Sequence, residues 1–437
     1  MRKSYLISKF TNFRFVMLFL YVNLVFFTTL NPYIRFLQLP FGEVDPTSAL
    51  LSLPASVYLI SIKRIPGRLK YLYPLCFIIF IYTFAASPLF NNDIYLLDYI
   101  TSVGILLPPL SLLVFFECYK NLIAPFVLNI TIILWFLTAA SQQFFQFLVP
   151  HELLNLLISR FSSTAIDSVR GVQSLATEPS SVTYPIILFA FLSIFFYRQD
   201  KIKPKNLYLN LLMIVCVVVF SRSFILISNL FLLLIFYGFL KLKINLFNPL
   251  LIFRNFIHLL FPVSASVIII GSVLFLLNYF LPENRVSDFL NTVYDNDLLS
   301  MHNPIEMTAI IASNLGDLRL IQFLTSYNCL KLFPIGGGVG NFENSFLISW
   351  DDMFGNFNNL RTVSRSNSYG GHVASELGFP GLLALLYFHW MFWTVSIRNY
   401  TNKVSVYKTL AYMLGLSWLY FNSIASIAIP WLMLIFI

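Results

Sequence analysis

The residues able to move a proton or hold an anion fall into a few short stretches. Glu178 stands in Arg170-Gly171-Val172-Gln173-Ser174-Leu175-Ala176-Thr177-Glu178-Pro179, just before an apolar run. A carboxylate placed there is either a helix N-terminal acid favoured by the dipole, or a general base whose pKa is raised by partial burial. Arg222 lies in Ser221-Arg222-Ser223, a three-residue hinge between two apolar segments. Its planar fork suits bidentate binding of phosphate or carboxylate, where a lysine would supply only a point charge. His372 precedes Glu376 by four residues, where a long polar segment gives way to an apolar one. Between these, Pro334-Ile335-Gly336-Gly337-Gly338-Val339-Gly340-Asn341-Phe342 allows a tight turn with exposed amides able to approach a phosphate or sugar. It is neither a dinucleotide nor a P-loop fingerprint, since no strand precedes it and no Lys-Ser/Thr follows. The sequence holds no His-Glu-x-x-His and no Cys-x-x-Cys, so neither a metal nor another cofactor is expected. Cys76, Cys118, Cys216 and Cys329 stand singly in or near apolar runs and read as packing residues.

The elements that must carry these groups are membrane helices. Only 11% of the 437 residues are charged, 58% are hydrophobic, and the mean hydropathy is +0.77. A soluble domain carries about a quarter charged residues, so soluble and disordered classes are both excluded. The expected fold is all-α and polytopic, with about 12 transmembrane helices at 15–31, 47–62, 72–90, 98–116, 122–149, 182–197, 207–220, 224–240, 259–281, 373–396, 409–423 and 424–437. The chain divides into helices 1–5 (1–149), a loop (150–181), helices 6–9 (182–281), a large loop (282–372) and helices 10–12 (373–437). With both termini cytoplasmic, all but nine of the 28 basic residues face the cytoplasm, together with only Glu117 and Asp200 among the acids. The net charge of +9 is then a topogenic stripe facing anionic headgroups, and no nucleic-acid partner is implied. The basic N-terminal segment is expected to be a retained first helix rather than a cleaved signal.

Both long loops face outward, and loops of that length are usually functional. Eight of the nine outward basic residues are Arg, which suggests an anionic ligand. Ion pairing is the expected role of Arg285, Arg361 and Arg365, and Arg35 reads as a surface charge. From Ile305 to Phe333, Met307, Ile311, Leu315, Leu318 and Phe323 recur at helical spacing, predicting an amphipathic helix on the membrane surface or capping the bundle.

In their order along the chain, these stretches resemble the O-antigen polymerase (Wzy) and O-antigen ligase superfamily. The resemblance rests on Arg170-Gly171 followed by Glu178-Pro179-Ser180, on Ser221-Arg222-Ser223, and on Arg319 ahead of the glycine stretch. It continues through Asn367-Ser368 into Glu376-Leu377-Gly378-Phe379-Pro380-Gly381, and Arg160 and Gly171 add a spacing described for polymerases. It implies a fold like that of lipid-linked-sugar (GT-C type) glycosyltransferases in the bacterial inner membrane. It also implies metal-independent, inverting transfer of undecaprenyl-diphosphate-linked glycans at the periplasmic face. Arg222 and Arg319 would hold the diphosphate with help from Arg170, while Arg160, Gly336, Gly338, Gly340, Asn367 and Ser368 would belong to the substrate loop. The proton acceptor stays open between Glu178, His372 and Glu376. Ligases carry a His-Asn pair about eleven residues before the glycine equivalent to Gly378. That count reaches Asn367-Ser368 here, which favours a polymerase over a ligase. The partners implied are a lipid-linked donor and acceptor, the bilayer and a chain-length regulator (co-polymerase). A flippase or transporter for lipid-linked sugars is the alternative from another class, and it would need charges along a transit path.

Overall fold

The computed structural model describes residues 13–31, 34, 47–62, 67–83, 96–106, 108–144, 172, 174–176, 182–221, 229, 307–310, 319–355, 368–396, 404–421 and 428–435. Among them every regular element is a helix. The helices are α1 (Phe13–Leu30), α2 (Thr47–Ser61), α3 (Tyr73–Ile81), α4 (Leu96–Leu106), α5 (Pro108–Tyr119), α6 (Pro125–Phe144), α7 (Thr183–Arg198) and α8 (Pro204–Ser221). They continue with α9 (Arg319–Leu332), α10 (Phe342–Phe354), α11 (Tyr369–Ser396), α12 (Val404–Phe421) and α13 (Ala428–Ile435), and 3-10 turns at Gly67–Leu72 and Lys120–Leu122 precede α3 and α6. The spans expected at 224–240, Asn229 apart, and at 259–281 lie outside the described residues.

Among the described residues, four stretches are long and apolar enough to cross a membrane: Asp98–Leu122, Pro125–Phe144, Pro204–Ser221 and Tyr369–Val395. Their packing follows from a solvent that is itself apolar. On α8, Tyr208, Leu209, Leu212, Val215 and Val219 face outward while Asn210 and Ser221 are buried. Asn210 donates to Asn129 Oδ1 on α6 at 2.8 Å. Lipid solvates the apolar face, so polar and small side chains join the helices instead. Asn31 does the same for α1: it donates to the Phe27 carbonyl at 2.9 Å and accepts from Trp135 Nε1 of α6 at 3.0 Å. Between α2 and α5, Ser56 Oγ donates to the Ser111 carbonyl at 2.6 Å.

Helix ends follow local chemistry. Pro204 opens α8, where its missing N–H costs nothing. Asp200, with φ 55°, turns the chain after α7.

The helix predicted over 305–333 is described only at 307–310 and as α9, with 311–318 outside the described residues. A second helix, α10, follows the glycine turn where only loop was expected. The two helices share a small core of their own, made of Ala309, Ile321, Phe342, Phe346, Trp350 and Phe354, apart from the main bundle core. This core seats on the start of α11, where Phe342 lies against His372, so α9 and α10 form a small cap on that helix end.

Candidate functional site

The cap and the bundle meet at α11, which is two helices joined at Gly378 (φ 61°, ψ −153°). The helix starts four residues earlier than predicted, because Ser368 caps it. Its hydroxyl accepts from the Gly371 N–H at 2.9 Å and its carbonyl from the His372 N–H at 3.0 Å. Such a cap stabilises a helix by about 1 kcal/mol. Ser368 is itself buried, so its hydroxyl serves the helix start.

The glycine turn closes over the break in α11. Gly336, Gly338 and Gly340 have φ of 87°, 90° and 87°, values an L side chain resists. The Gly337 N–H donates to the Ser375 carbonyl at 2.8 Å and the Gly338 N–H to the Glu376 carbonyl at 3.0 Å, filling the acceptors that the kink would leave open. In return, the Phe379 N–H donates to the Pro334 carbonyl at 2.9 Å. A β-carbon at Gly336 would stand 2.7 Å from the backbone nitrogen of Gly378, so the two backbones interlock. The expectation of exposed amides is therefore corrected. Gly336 N–H bonds to the Phe333 carbonyl at 2.8 Å, Gly340 N–H to the Glu376 carboxylate, and all four glycine amides are taken within the protein.

This interlock fixes a buried histidine–carboxylate pair. His372 and Glu376, one turn apart on the first half of α11, are 1% and 0% exposed, with Nε2 and Oε2 3.3 Å apart. Glu376 Oε1 accepts the Gly340 N–H at 3.0 Å. The imidazole lies against the Phe342 ring, centroids 5.2 Å apart and planes inclined by 25°. The 3.3 Å approach is an electrostatic contact without hydrogen-bond alignment. Neither His372 nitrogen and not Glu376 Oε2 has a hydrogen-bond partner among the described residues. A buried polar group left without a partner costs about 1–3 kcal/mol, so three in one place mark a site kept for something other than stability. The pair can accept one proton and hold it between an imidazole nitrogen and a carboxylate oxygen.

Tyr327 of α9 borders the same helix start. Its hydroxyl donates to the Tyr420 carbonyl at 3.0 Å, and a β-carbon at Gly370 would come within 2.5 Å of it. Burial pushes this hydroxyl up to about 12, opposed by its bond to Ser368. Sequence reasoning passed over Tyr327, Phe342 and the Gly340–Glu376 bond. The signal for Phe342 was available as Phe342, Phe346, Trp350 and Phe354 at four-residue spacing.

The other sequence-predicted residues are Arg160, Arg170, Glu178, Arg222 and Asn367, which lie outside the described residues. Of Arg319 only the backbone is described, as the first residue of α9. Their described neighbours have clear positions. Val172, two residues after Arg170, donates its N–H at 3.0 Å to the carbonyl of Phe220, two residues before Arg222. Ser174 is bound to Gln142 at the end of α6 through 2.7 and 3.0 Å bonds. Tyr184, at the start of α7, packs edge-on against Trp418 at 5.2 Å, and Trp418 Nε1 donates to Asn229 Oδ1 at 2.7 Å. Two residues on, the Tyr420 ring meets Gly370 and so reaches the helix that carries His372 and Glu376. The chain segments flanking Arg170, Glu178 and Arg222 thus end at the same pole of the bundle as the buried pair. No group of three or more metal-ligating side chains occurs among the described residues. The chain matches no known protein-family model and no curated protein.

Proposed function

We propose that this chain polymerises undecaprenyl-diphosphate-linked oligosaccharide repeat units into an O-antigen or capsule-type polysaccharide. It would do so as a metal-independent, inverting glycosyltransferase of the bacterial inner membrane, with about 12 spans, both termini cytoplasmic and the active face periplasmic. The observation that carries this reading is the His372–Glu376 pair, buried and short of hydrogen bonds, at the pole where the segments flanking Arg170 and Arg222 end. In the proposed reaction a hydroxyl of the incoming lipid-linked unit attacks the anomeric carbon of the growing chain. The bond from that carbon to the diphosphate breaks, and undecaprenyl diphosphate departs. The hydroxyl proton passes to the His372–Glu376 pair. Arg222 and Arg319, assisted by Arg170, hold the diphosphate, where fixed positive charge stabilises the negative charge that develops. Energy comes from the substrate's own glycosyl phosphate bond. A folded cap made of α9 and α10 suits a reaction in which a polar glycan must be selected above the bilayer.

Replacing Arg222 or Arg319 with Ala is expected to leave surface polysaccharide one repeat unit long while the protein still inserts. Normal long chains in both variants would contradict the diphosphate assignment. Long chains that accumulate on the lipid carrier, with none on lipid A core, would favour a ligase instead.

A further inference from the structure

Helix α11 does not run straight through Gly378. In a continuous helix Gly370 and His389 would stand about 28 Å apart. Both instead meet the ring of Tyr420 on α12. A β-carbon at Gly370 would lie 2.7 Å from Cδ1 of that ring, and the His389 imidazole has its centroid 5.7 Å from it. Trp431 on α13 is shared in the same way, with Tyr369 edge-on at 5.2 Å and His389 stacked at 6.1 Å. Nearer the bend, a β-carbon at Gly381 would stand 3.1 Å from Cγ1 of Val373. The two halves of α11 therefore fold back on each other as a hairpin with Gly378 at its tip. The second arm exposes Phe379, Leu383, Leu386, Tyr387 and Trp390, as a helix in lipid does, whereas every residue of the first arm, 369–377, is buried. A half-length arm of this kind persists inside an apolar layer where protein or enclosed water satisfies its polar groups.

Beside the start of the first arm, three buried polar atoms on rings gathered at one imidazole lack a hydrogen-bond partner among the described residues: His389 Nε2, Tyr420 Oη and Trp431 Nε1. The other edge of the imidazole fixes what Nε2 can do. Tyr412 donates its hydroxyl proton to the His389 carbonyl at 2.8 Å, and its oxygen stands 3.4 Å from Nδ1. With its proton given to the carbonyl, that oxygen can only accept. The proton of a neutral imidazole is thereby assigned to Nδ1, and Nε2 is left as an acceptor. Trp431 Nε1 can only donate, and Tyr420 Oη can do either. One acceptor, one donor and one hydroxyl of either sense are the complement of a single water molecule, which makes about three hydrogen bonds when buried.

We infer that the hairpin encloses a bound water molecule held by His389, Tyr420 and Trp431. The water joins the second arm of α11 to α12 and α13 beside Gly370, two residues before His372, so the arm that carries the buried pair starts at a hydrated joint. The inference stands on this geometry alone and does not need the proposed transfer reaction.

The test uses the purified full chain in neutral detergent, without substrate. Brief X-ray radiolysis generates hydroxyl radicals from water in place, and peptide mass spectrometry locates the side chains they oxidise. Trp431 and Trp135 are both 0% exposed, but Trp135 Nε1 already donates to Asn31 Oδ1. Trp431 is expected to oxidise about tenfold faster than Trp135, because only Trp431 touches a buried water. Trp418, also buried and with its Nε1 bound to Asn229, reports any loosening of α12 and is expected to stay as slow as Trp135. His389→Phe keeps an aromatic ring and removes the acceptor, and is expected to bring Trp431 down to the rate of Trp135. Tyr420→Phe, which removes only the hydroxyl, carries the same expectation if the first variant does not fold. Trp431 oxidised as slowly as Trp135 in the parent, Trp418 oxidised as fast as Trp431, or an undiminished Trp431 rate in the folded variant would each overturn the site.

Discussion

Two glutamates at opposite poles of the bundle, Glu117 largely buried and Glu376 fully so, have opposite surroundings. Glu117 is held by Arg68 and Lys120, so both its oxygens face cations. Glu376 is at least as deeply buried, yet it has one backbone N–H on Oε1, and its other oxygen faces an imidazole without a hydrogen bond. A carboxylate saturated by cations is a structural tie, and removing either side leaves a charge stranded. A carboxylate given one amide, with its other oxygen lacking a hydrogen bond, is left unsaturated. Glu376 is the more deeply buried of the two, and it is the one with fewer partners.

The largest expected effect comes from unlocking what holds Glu376 in place. Gly336→Ala and Gly378→Ala would each push a β-carbon into the opposite backbone at positive φ. Each is expected to cost about 3 kcal/mol or more in thermal or denaturant unfolding. A melt unchanged by either substitution would show that the glycine turn does not brace the kink.

Next comes the contrast between the two carboxylates. Glu117→Gln strands Arg68 and Lys120 and is expected to destabilise the protein by about 2–3 kcal/mol, with polymer length in surviving protein unchanged. Glu376→Gln keeps shape and leaves an amide oxygen for the Gly340 N–H. It is expected to cost less than about 1 kcal/mol of stability while abolishing chain growth, read as glycan length on gels. If the two variants exchange behaviours, the assignment of one glutamate to structure and the other to chemistry is wrong.

The smallest effect belongs to an exposed ion pair of the cap. Lys331 Nζ and Asp352 Oδ2 stand 2.8 Å apart, joining α9 to α10, and the Lys331 and Asn328 bonds hold the Asp352 carboxyl below its usual range. A depressed folded-state value adds stability only above the ordinary aspartate value of about 3.9. That contribution disappears as pH falls through the lower folded value. Asp352→Asn is therefore expected to leave the melt at neutral pH nearly unchanged and to remove only a small part of its dependence on pH below that value. A large loss at neutral pH would mean that the cap hangs on this pair.

How far these features were legible in the sequence depends on the range of the interactions involved. The run that became α11 and the four-residue step from His372 to Glu376 are local, and both stand in the sequence. So does the need for a turn at Gly336, Gly338 and Gly340. What that turn binds is not legible, because Gly340 meets Glu376 across 36 residues of sequence and amides in a turn give no sign of their acceptor. The same holds for Arg68 and Glu117, 49 residues apart, which charge counting puts on one side without pairing them. Helix α10 was legible in principle, since Phe342, Phe346, Trp350 and Phe354 recur every four residues. It was hidden because the segment is polar enough to pass for loop among membrane spans.

The central claim is that the chain joins lipid-linked repeat units. Purified protein reconstituted with undecaprenyl-diphosphate-linked repeat units, with no nucleotide or metal added, tests it most directly. The expected product is a ladder of lipid-linked oligomers at one-repeat spacing, absent with Glu376→Gln. Repeat units that stay single while crossing the bilayer would contradict the claim and make the protein a lipid-linked sugar transporter.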